Sequence, residues 1–213
     1  MIYPHTKVLH FDNNRGFGVC ATQFIPKGTL LWLPYEEVDK ILSVEQVSAM
    51  SKSEREVLTQ FTYLTNEGQY ILSYDNGRYV NHSCDANSIS IAGLELSIAI
   101  RDIQQDEEIS EDYGLYYANG GFDDCLCGSS KCRHKICEDD IRQYGDEWDH
   151  KIASVFYLIP KVEQPLWQFI SSKLREQIEA ILANKISFPS CKILKCSPDE
   201  LQKAANLLWP SIN

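Results

Sequence analysis

Three thiols within one short segment, Cys125-x-Cys127-x4-Cys132, are the densest chemistry in the sequence. Thiolates at this spacing suit a tetrahedral zinc ion, at Zn–S distances of about 2.3 Å. They lie in a Gly/Ser-rich loop, which offers unligated cysteines no core to join. A closed structural site needs a fourth donor, and three candidates exist: Cys137 close by, Cys84 far upstream, and His134. Spacing alone favours Cys137. Cys84 itself ends a second polar cluster, Arg78-Tyr79-Val80-Asn81-His82-Ser83-Cys84, and a third follows at Glu111-Asp112-Tyr113-Gly114. Taken alone, His82 reads as a structural histidine and is given no proton-transfer role.

The whole chain bounds what these clusters can serve. At 213 residues it holds one sizeable domain, or one with a smaller appended part. It is 44% hydrophobic and 23% charged, with eleven Tyr and four Trp available for a core, which is ordinary for a globular protein. Met1 to Lys7 lacks the apolar run of a secretory signal, and no apolar run approaches the roughly 20 residues that span a bilayer. We therefore expect an intracellular protein of nucleus or cytoplasm, host-directed if microbial, with no membrane association. The formal charge of −10 speaks against direct nucleic acid binding, which needs a basic surface. It fits a Lys/Arg-rich partner, and serves solubility equally well. Eight cysteines in a reducing compartment point to metal rather than disulfides. Cys20, Cys191 and Cys196 are scattered and read as small buried hydrophobes.

The elements that must position these residues change character along the chain. Val8 to Phe11, Val19 to Ile25 and Thr29 to Leu33 read as short strands separated by turns. Ser43 with Gln46, and Ser51 with Glu54, have capping-box spacing, predicting two short helices within 43–64. Extended structure returns near Tyr70 to Tyr74, and Leu94 to Ile100 alternates as a strand with one buried face. From Glu138 onward the pattern is helical. Ile141 to Ile159 recurs at helical intervals, as does Leu166 to Leu182 after Pro165. Ser197-Pro198-Asp199-Glu200 is a helix start: a cap, a proline in the first turn, then acids at the positive dipole end. That helix should end before Pro210.

In this order and at these intervals, the three clusters resemble a SET-domain protein-lysine methyltransferase with a zinc-binding post-SET segment. The resemblance implies a mainly β fold of short strands in several small sheets, with knot-like C-terminal threading and, here, a C-terminal α-helical extension. Its parts would be a SET domain at 1–117, a post-SET segment at 118–137 and helices at 138–213. The implied methyl donor is S-adenosyl-L-methionine. Gly16-Phe17-Gly18 is similar to the family's glycine turn beside that donor, where the missing Cβ permits close backbone approach. Asn81 and His82 would hold its amino-acid end and adenine, Leu126 would pack on the adenine, and Phe122 would help close the pocket. Tyr113 matches the family's catalytic tyrosine, and Tyr79 is a candidate wall of the lysine channel, or equally a core aromatic. By the same resemblance one structural zinc is held by Cys84, Cys125, Cys127 and Cys132. That choice overrides the local spacing that favours Cys137.

The pattern is not followed throughout. Glu111 stands two residues before Tyr113, where the family usually has an aromatic residue. Its carboxylate either faces the channel and meets an ammonium group or points away to solvent. Ala86 replaces the usual proline, and Arg133-His134 the usual Arg-Gly. The implied partner is a lysine-containing protein or peptide, with a histone tail the family's commonest target. The rival readings are a catalytically idle SET fold serving as a zinc-containing interaction module, and a small zinc-stabilised domain unrelated to SET.

Overall fold

Thr6–Phe11 (β1) and Gly16–Ala21 (β2) form an antiparallel ladder running from Thr6 opposite Ala21 to Phe11 opposite Gly16. The computed structural model describes residues 1–11, 15–35, 39–65, 67–116, 124–137, 139–193 and 196–209. Leu30–Trp32 (β3) and Lys40–Leu42 (β4) follow, then the two predicted helices, Val44–Ser48 (α1) and Lys52–Phe61 (α2). Both helices start at complete capping boxes, Ser43 with Gln46 and Ser51 with Glu54, as their spacing required. Thr62–Leu64 (β5) and Tyr70–Leu72 (β6) complete this insert. A 3-10 turn at Asn76–Tyr79 leads into Asn81–His82 (β7), Ser88–Ile91 (β8), Leu96–Ala99 (β9) and Glu108–Glu111 (β10).

These strands make three small sheets, ordered β1-β2-β10-β7, β3-β9-β8 and β4-β6-β5. This is the mainly β arrangement of short strands that the sequence called for. The third of the predicted early strands stands, but the second stops at Ala21, and Ile25 keeps only a single bridge to Ile103. β9 departs from its predicted single buried face, since all four of its residues are buried. Leu96 and Ile98 join a core shared with helices, while Ala99 joins the core under the N-terminal ladder. Ser97 tolerates burial between them because its hydroxyl donates to Glu111.

After a 3-10 turn at Tyr113–Tyr116, the tail contains Asp140–Phe156 (α3), Ser172–Leu182 (α4) and Pro198–Leu208 (α5). The predicted helix from Leu166 to Leu182 is in fact interrupted. Trp167–Phe169 is a 3-10 turn, Ile170 is extended, and the Ser171 hydroxyl then caps α4. The helices do not stand apart from the sheets. Trp148, Ile152, Val155 and Ile178 pack against Leu96, Ile98 and Ile89, each fully buried side chain contributing about 1.5–3 kcal/mol. α5 instead returns to the insert, where Leu201, Ala204 and Leu208 pack on Val47, Leu58 and Tyr70. The Tyr70 hydroxyl donates to the Ala204 carbonyl. No helix among the described residues is long and apolar enough to cross a membrane.

Candidate active site

β10 lies between β2 and β7, pairing parallel to β7 with Ser110 opposite Asn81 and Glu111 opposite His82. That single contact brings the 78–84 and 111–114 clusters together. On the β2 side, Gly16 has φ +68°, a left-handed conformation that favours glycine. A Cβ on Gly18 would come within 2.6 Å of Glu108 Oε1 and 2.9 Å of Asn81 Nδ2. The Asn81 amide donates at 2.9 Å to both the Phe17 carbonyl and Glu108, and Arg15 pairs with Glu108 at 2.7 Å. Gly16, Phe17, Gly18 and Asn81 therefore form one cradle. The rings of Phe17 and Tyr79 lie 5.6 Å apart. Leu126 is 58% exposed, and Phe122 lies outside the described residues.

His82 is buried beneath this cradle. Its Nδ1 accepts from the Tyr113 backbone N–H at 3.1 Å, so the network assigns the ring proton to Nε2, 3.2 Å from Cys84 Sγ. Burial lowers its pKa to about 4, against the opposing pull of Asp112, and keeps the ring neutral.

Cys84 Sγ lies 3.8 Å from Cys125 Sγ, and a tetrahedron with bonds of about 2.3 Å has edges of about 3.8 Å. Donor atoms of His82, Cys84, Cys125 and Cys127 all fall within 4.8 Å of one another. Cys132 adjoins the group through Cys125 and Cys127, and its Sγ lies 3.6 Å from the Cys125 carbonyl. Cys137 turns elsewhere, its thiol 3.2 Å from Asp140 at the start of α3, and His134 is exposed. Burial pushes the Cys84 thiol up to about 11 and Cys125 higher still. Burial opposes Cys127 too, but backbone hydrogen bonds outweigh it and bring that thiol down to about 7. Cys132 falls outside the close group, but three thiols crowded in this way, with His82 in reach and Cys132 beside them, fit a zinc ion, whose charge ionises its ligands. His82 then fits as a hydrogen-bond donor to the Cys84 sulfur.

On the other side of the His82 strand, Tyr113 donates its hydroxyl to the Val80 carbonyl at 2.6 Å. Burial, with nearby Glu111, holds that hydroxyl well above its ordinary pKa and so protonated. Tyr113 and Val80 line a cavity of about 310 Å³ whose walls include Trp32, Phe61, Tyr63, Tyr116 and Trp209. This is the size of a small-ligand pocket. Tyr79, weighed equally as a channel wall and as a core aromatic, is not among the lining residues of this cavity. Its ring packs between Phe17 and Phe61, under the Arg78 guanidinium, and its neighbours Arg78 and Val80 face the cavity instead.

Two features were not singled out from the sequence. Arg133 forms a bidentate pair with Asp112 at 2.6 and 2.7 Å and reaches Asp140 at 3.1 Å, its guanidinium 4.8 Å from the Tyr144 ring. Burial opposes this charge, but Asp112 more than offsets it and raises the guanidinium pKa. The triad ties the cysteine segment to β10 and α3, and no local spacing signals it. Second, the cavity walls come from β3, α2, β5 and the end of α5, whose aromatic residues have no common motif.

A family model of the SET domain matches residues 16–114. Residues 16–114 are thereby similar to the SET domain. That match covers the glycine cradle, the Asn81–His82 strand and Tyr113. Beyond it, the chain is 29% identical over 129 residues to a histone-lysine N-methyltransferase, H3 lysine-36 specific, of Mycosarcoma maydis, covering 55% of this chain and 13% of that protein. It is 29% identical over 157 residues to the probable inactive histone-lysine N-methyltransferase SUVR1 of Arabidopsis thaliana, covering 62% and 21%. The chain thus spans a small part of the relatives it matches. Among solved structures, the methyltransferase domain of human SETMAR aligns over 63% of this chain and 58% of that one, at 22% identity and a TM-score of 0.46.

Proposed function

We propose that the chain is an S-adenosylmethionine-dependent protein-lysine N-methyltransferase acting on a basic protein segment, with a histone tail the first candidate. The observation that carries this reading is the protonated Tyr113 hydroxyl, fixed on Val80 at an aromatic cavity while the next residue, Asn81, faces the glycine cradle. The residue just before β7 and the first residue of β7 thus serve two sites. The cradle of Gly16, Phe17, Gly18 and Asn81, with His82 and Leu126, would hold S-adenosylmethionine, which supplies an electrophilic sulfonium methyl when bound. Phe122 belongs to the same proposal.

The cavity would take the lysine side chain. Its amine must lose a proton to act as nucleophile, from a free pKa of about 10.4. Apolar walls and water exclusion favour the neutral amine. Tyr113 would orient it, and positioning of this kind is worth up to about 7–11 kcal/mol of barrier. Cys84, Cys125, Cys127 and Cys132 would hold one structural zinc ion, fixing the cysteine segment beside His82. The relatives named for histones favour a nuclear or other intracellular substrate, and the acidic chain complements a basic tail.

The test is transfer of labelled methyl from S-adenosylmethionine to lysines of histones and whole-cell protein, read by mass spectrometry. Tyr113→Phe should lower transfer by about 10²-fold or more, as loss of one oriented donor does, while donor affinity stays. Unchanged turnover in that variant would refute the role of Tyr113. Donor binding with no transfer to any lysine would favour the idle interaction module.

A further inference from the structure

Glu111 is the buried titratable group that this reading leaves without a task. It ends β10 at 5% exposure and lines the cavity that holds Tyr113. Its partners are all serine hydroxyls. Ser97 of β9 donates to Oε1 and Ser90 of β8 donates to Oε2 at 3.0 Å, while the Ser88 hydroxyl of β8 lies 3.4 Å from Oε1 and donates chiefly to the Ser110 carbonyl at 2.9 Å. Among the described residues no cation lies within ion-pairing distance of it. The ionisable groups around it are His82 on the neighbouring strand and Asp112 next in sequence, the latter neutralised by Arg133. Tyr63 of β5, and Tyr113 and Tyr116 of the following turn, complete the set. A carboxylate buried without a countercharge is costly, and burial raises its pKa despite the serines. A cation entering the cavity would supply that countercharge.

The serine contacts also have a direction. Ser90 donates to Glu111, so its oxygen is left to accept from the Tyr116 hydroxyl 3.2 Å away. Ser90 and Tyr116 both line a second cleft of about 30 Å³ on the far side, with Thr65 and Glu95 among its walls. That is room for a water molecule beside polar groups. The hydrogen-bonded row Glu111–Ser90–Tyr116 therefore connects the cavity to a cleft with room for water.

We propose that Glu111 is the proton acceptor for the substrate ammonium, and that Ser90 and Tyr116 carry the proton out to the second cleft. The inference rests on the lysine methyltransferase reading. The balance is simple: R–NH3⁺ and the Glu111 carboxylate become R–NH2 and a carboxylic acid. The amine lone pair then forms the N–C bond as the donor's C–S bond breaks, giving R–NH2CH3⁺ and a neutral thioether. One proton per turnover remains on Glu111, and it leaves once the row has reversed, the acid donating to Ser90, Ser90 to Tyr116 and Tyr116 to the second cleft. The carboxyl is suited to this because burial raises its pKa above that of an exposed glutamate and so strengthens it as a base.

The experiment is the pH–rate profile of methyl transfer to a lysine peptide for wild type, Glu111→Gln and Ser90→Ala, with donor affinity and thermal stability measured alongside. Glu111→Gln should lose about 10²-fold near neutral pH, the gap closing toward pH ~10 where lysine loses its proton unaided. Ser90→Ala keeps the acid but breaks the row, and should show a smaller loss with the same trend. It also keeps the test open if Glu111→Gln fails to fold. Variants that track wild type at every pH, or lose a constant factor across pH, overturn the role of Glu111 alone. A wild type that methylates no lysine at any pH overturns the proposed function and this role together.

Discussion

The two sides of Tyr113 are built by different means. On the cysteine side, single atoms meet single atoms: Cys84 with Cys125, His82 with the Tyr113 amide, Arg133 with Asp112. On the cavity side, rings from distant parts of the chain meet at centroid distances near 5–6 Å, Tyr63 with Tyr116, Tyr113 with Tyr116 and Trp32 with Tyr63. Each such ring pair adds about 0.5–1.5 kcal/mol beyond its buried area, so no one of them is indispensable. Sulfur ligation and a buried ion triad offer no such redundancy. Damage should therefore be all-or-none on the first side and graded on the second.

Cys84→Ser is the sharpest way to break that contrast. Structural zinc sites of this class contribute about 10–16 kcal/mol of apparent binding free energy, and one missing thiolate forfeits a large share. Purified wild type should carry one zinc per chain by elemental analysis, and the variant well under half of that, with transfer abolished. Cys137→Ser should keep both, since that thiol faces Asp140. Should Cys137→Ser lose the metal and Cys84→Ser retain it, the assignment of ligands is reversed. The next largest effect belongs to Arg133→Met. It leaves Asp112 and Asp140 buried with no cation and should cost about 3–5 kcal/mol in denaturant unfolding. A loss within 0.5 kcal/mol, the range of ordinary surface substitutions, would mean that the triad is an incidental pairing.

The same contrast explains what could be read without a structure. The cysteine side was legible because ligand chemistry restricts residue type and leaves short, recognisable spacings. Even there spacing favoured Cys137, and only the family resemblance pointed to Cys84, because a residue remote in sequence leaves no local trace. Capping boxes were equally legible at Ser43, Ser51 and Ser197, each being a four-residue device. The break before Ser171 was missed because apolar periodicity continues through it from Leu166 to Leu182. The cavity side was not legible. Trp32, Phe61 and Trp209 look like any core aromatics until the fold brings them to one wall. Arg133 was noticed only as a departure from the family's pattern, since nothing in its neighbourhood announces Asp112. Glu111 was noticed too, but its direction could not be decided until the three serines around it were in view.

Trp209 gives the smallest effect and tests the graded side. It lies outside the residues that match the SET domain, yet it lines the cavity and donates its indole N–H to the Thr59 carbonyl at 3.2 Å. Thr59 in turn donates to the Leu208 carbonyl at 3.2 Å, so the end of α5 and the end of α2 are stitched across the cavity rim. Because Leu201, Ala204, Ala205 and Leu208 bury α5 independently, Trp209→Ala should leave the helix docked. Its indole is only half-buried, so the cost should be about 2 kcal/mol, a Tm fall of about 4–8 °C for a chain of this size. If the indole walls the substrate, KM for a lysine peptide should rise several-fold while turnover at saturation changes little, and Trp209→Phe should recover most of the loss. Turnover falling in step with KM unchanged would instead place Trp209 with Tyr113 in the reacting centre, and the division between an all-or-none side and a graded side would fail there.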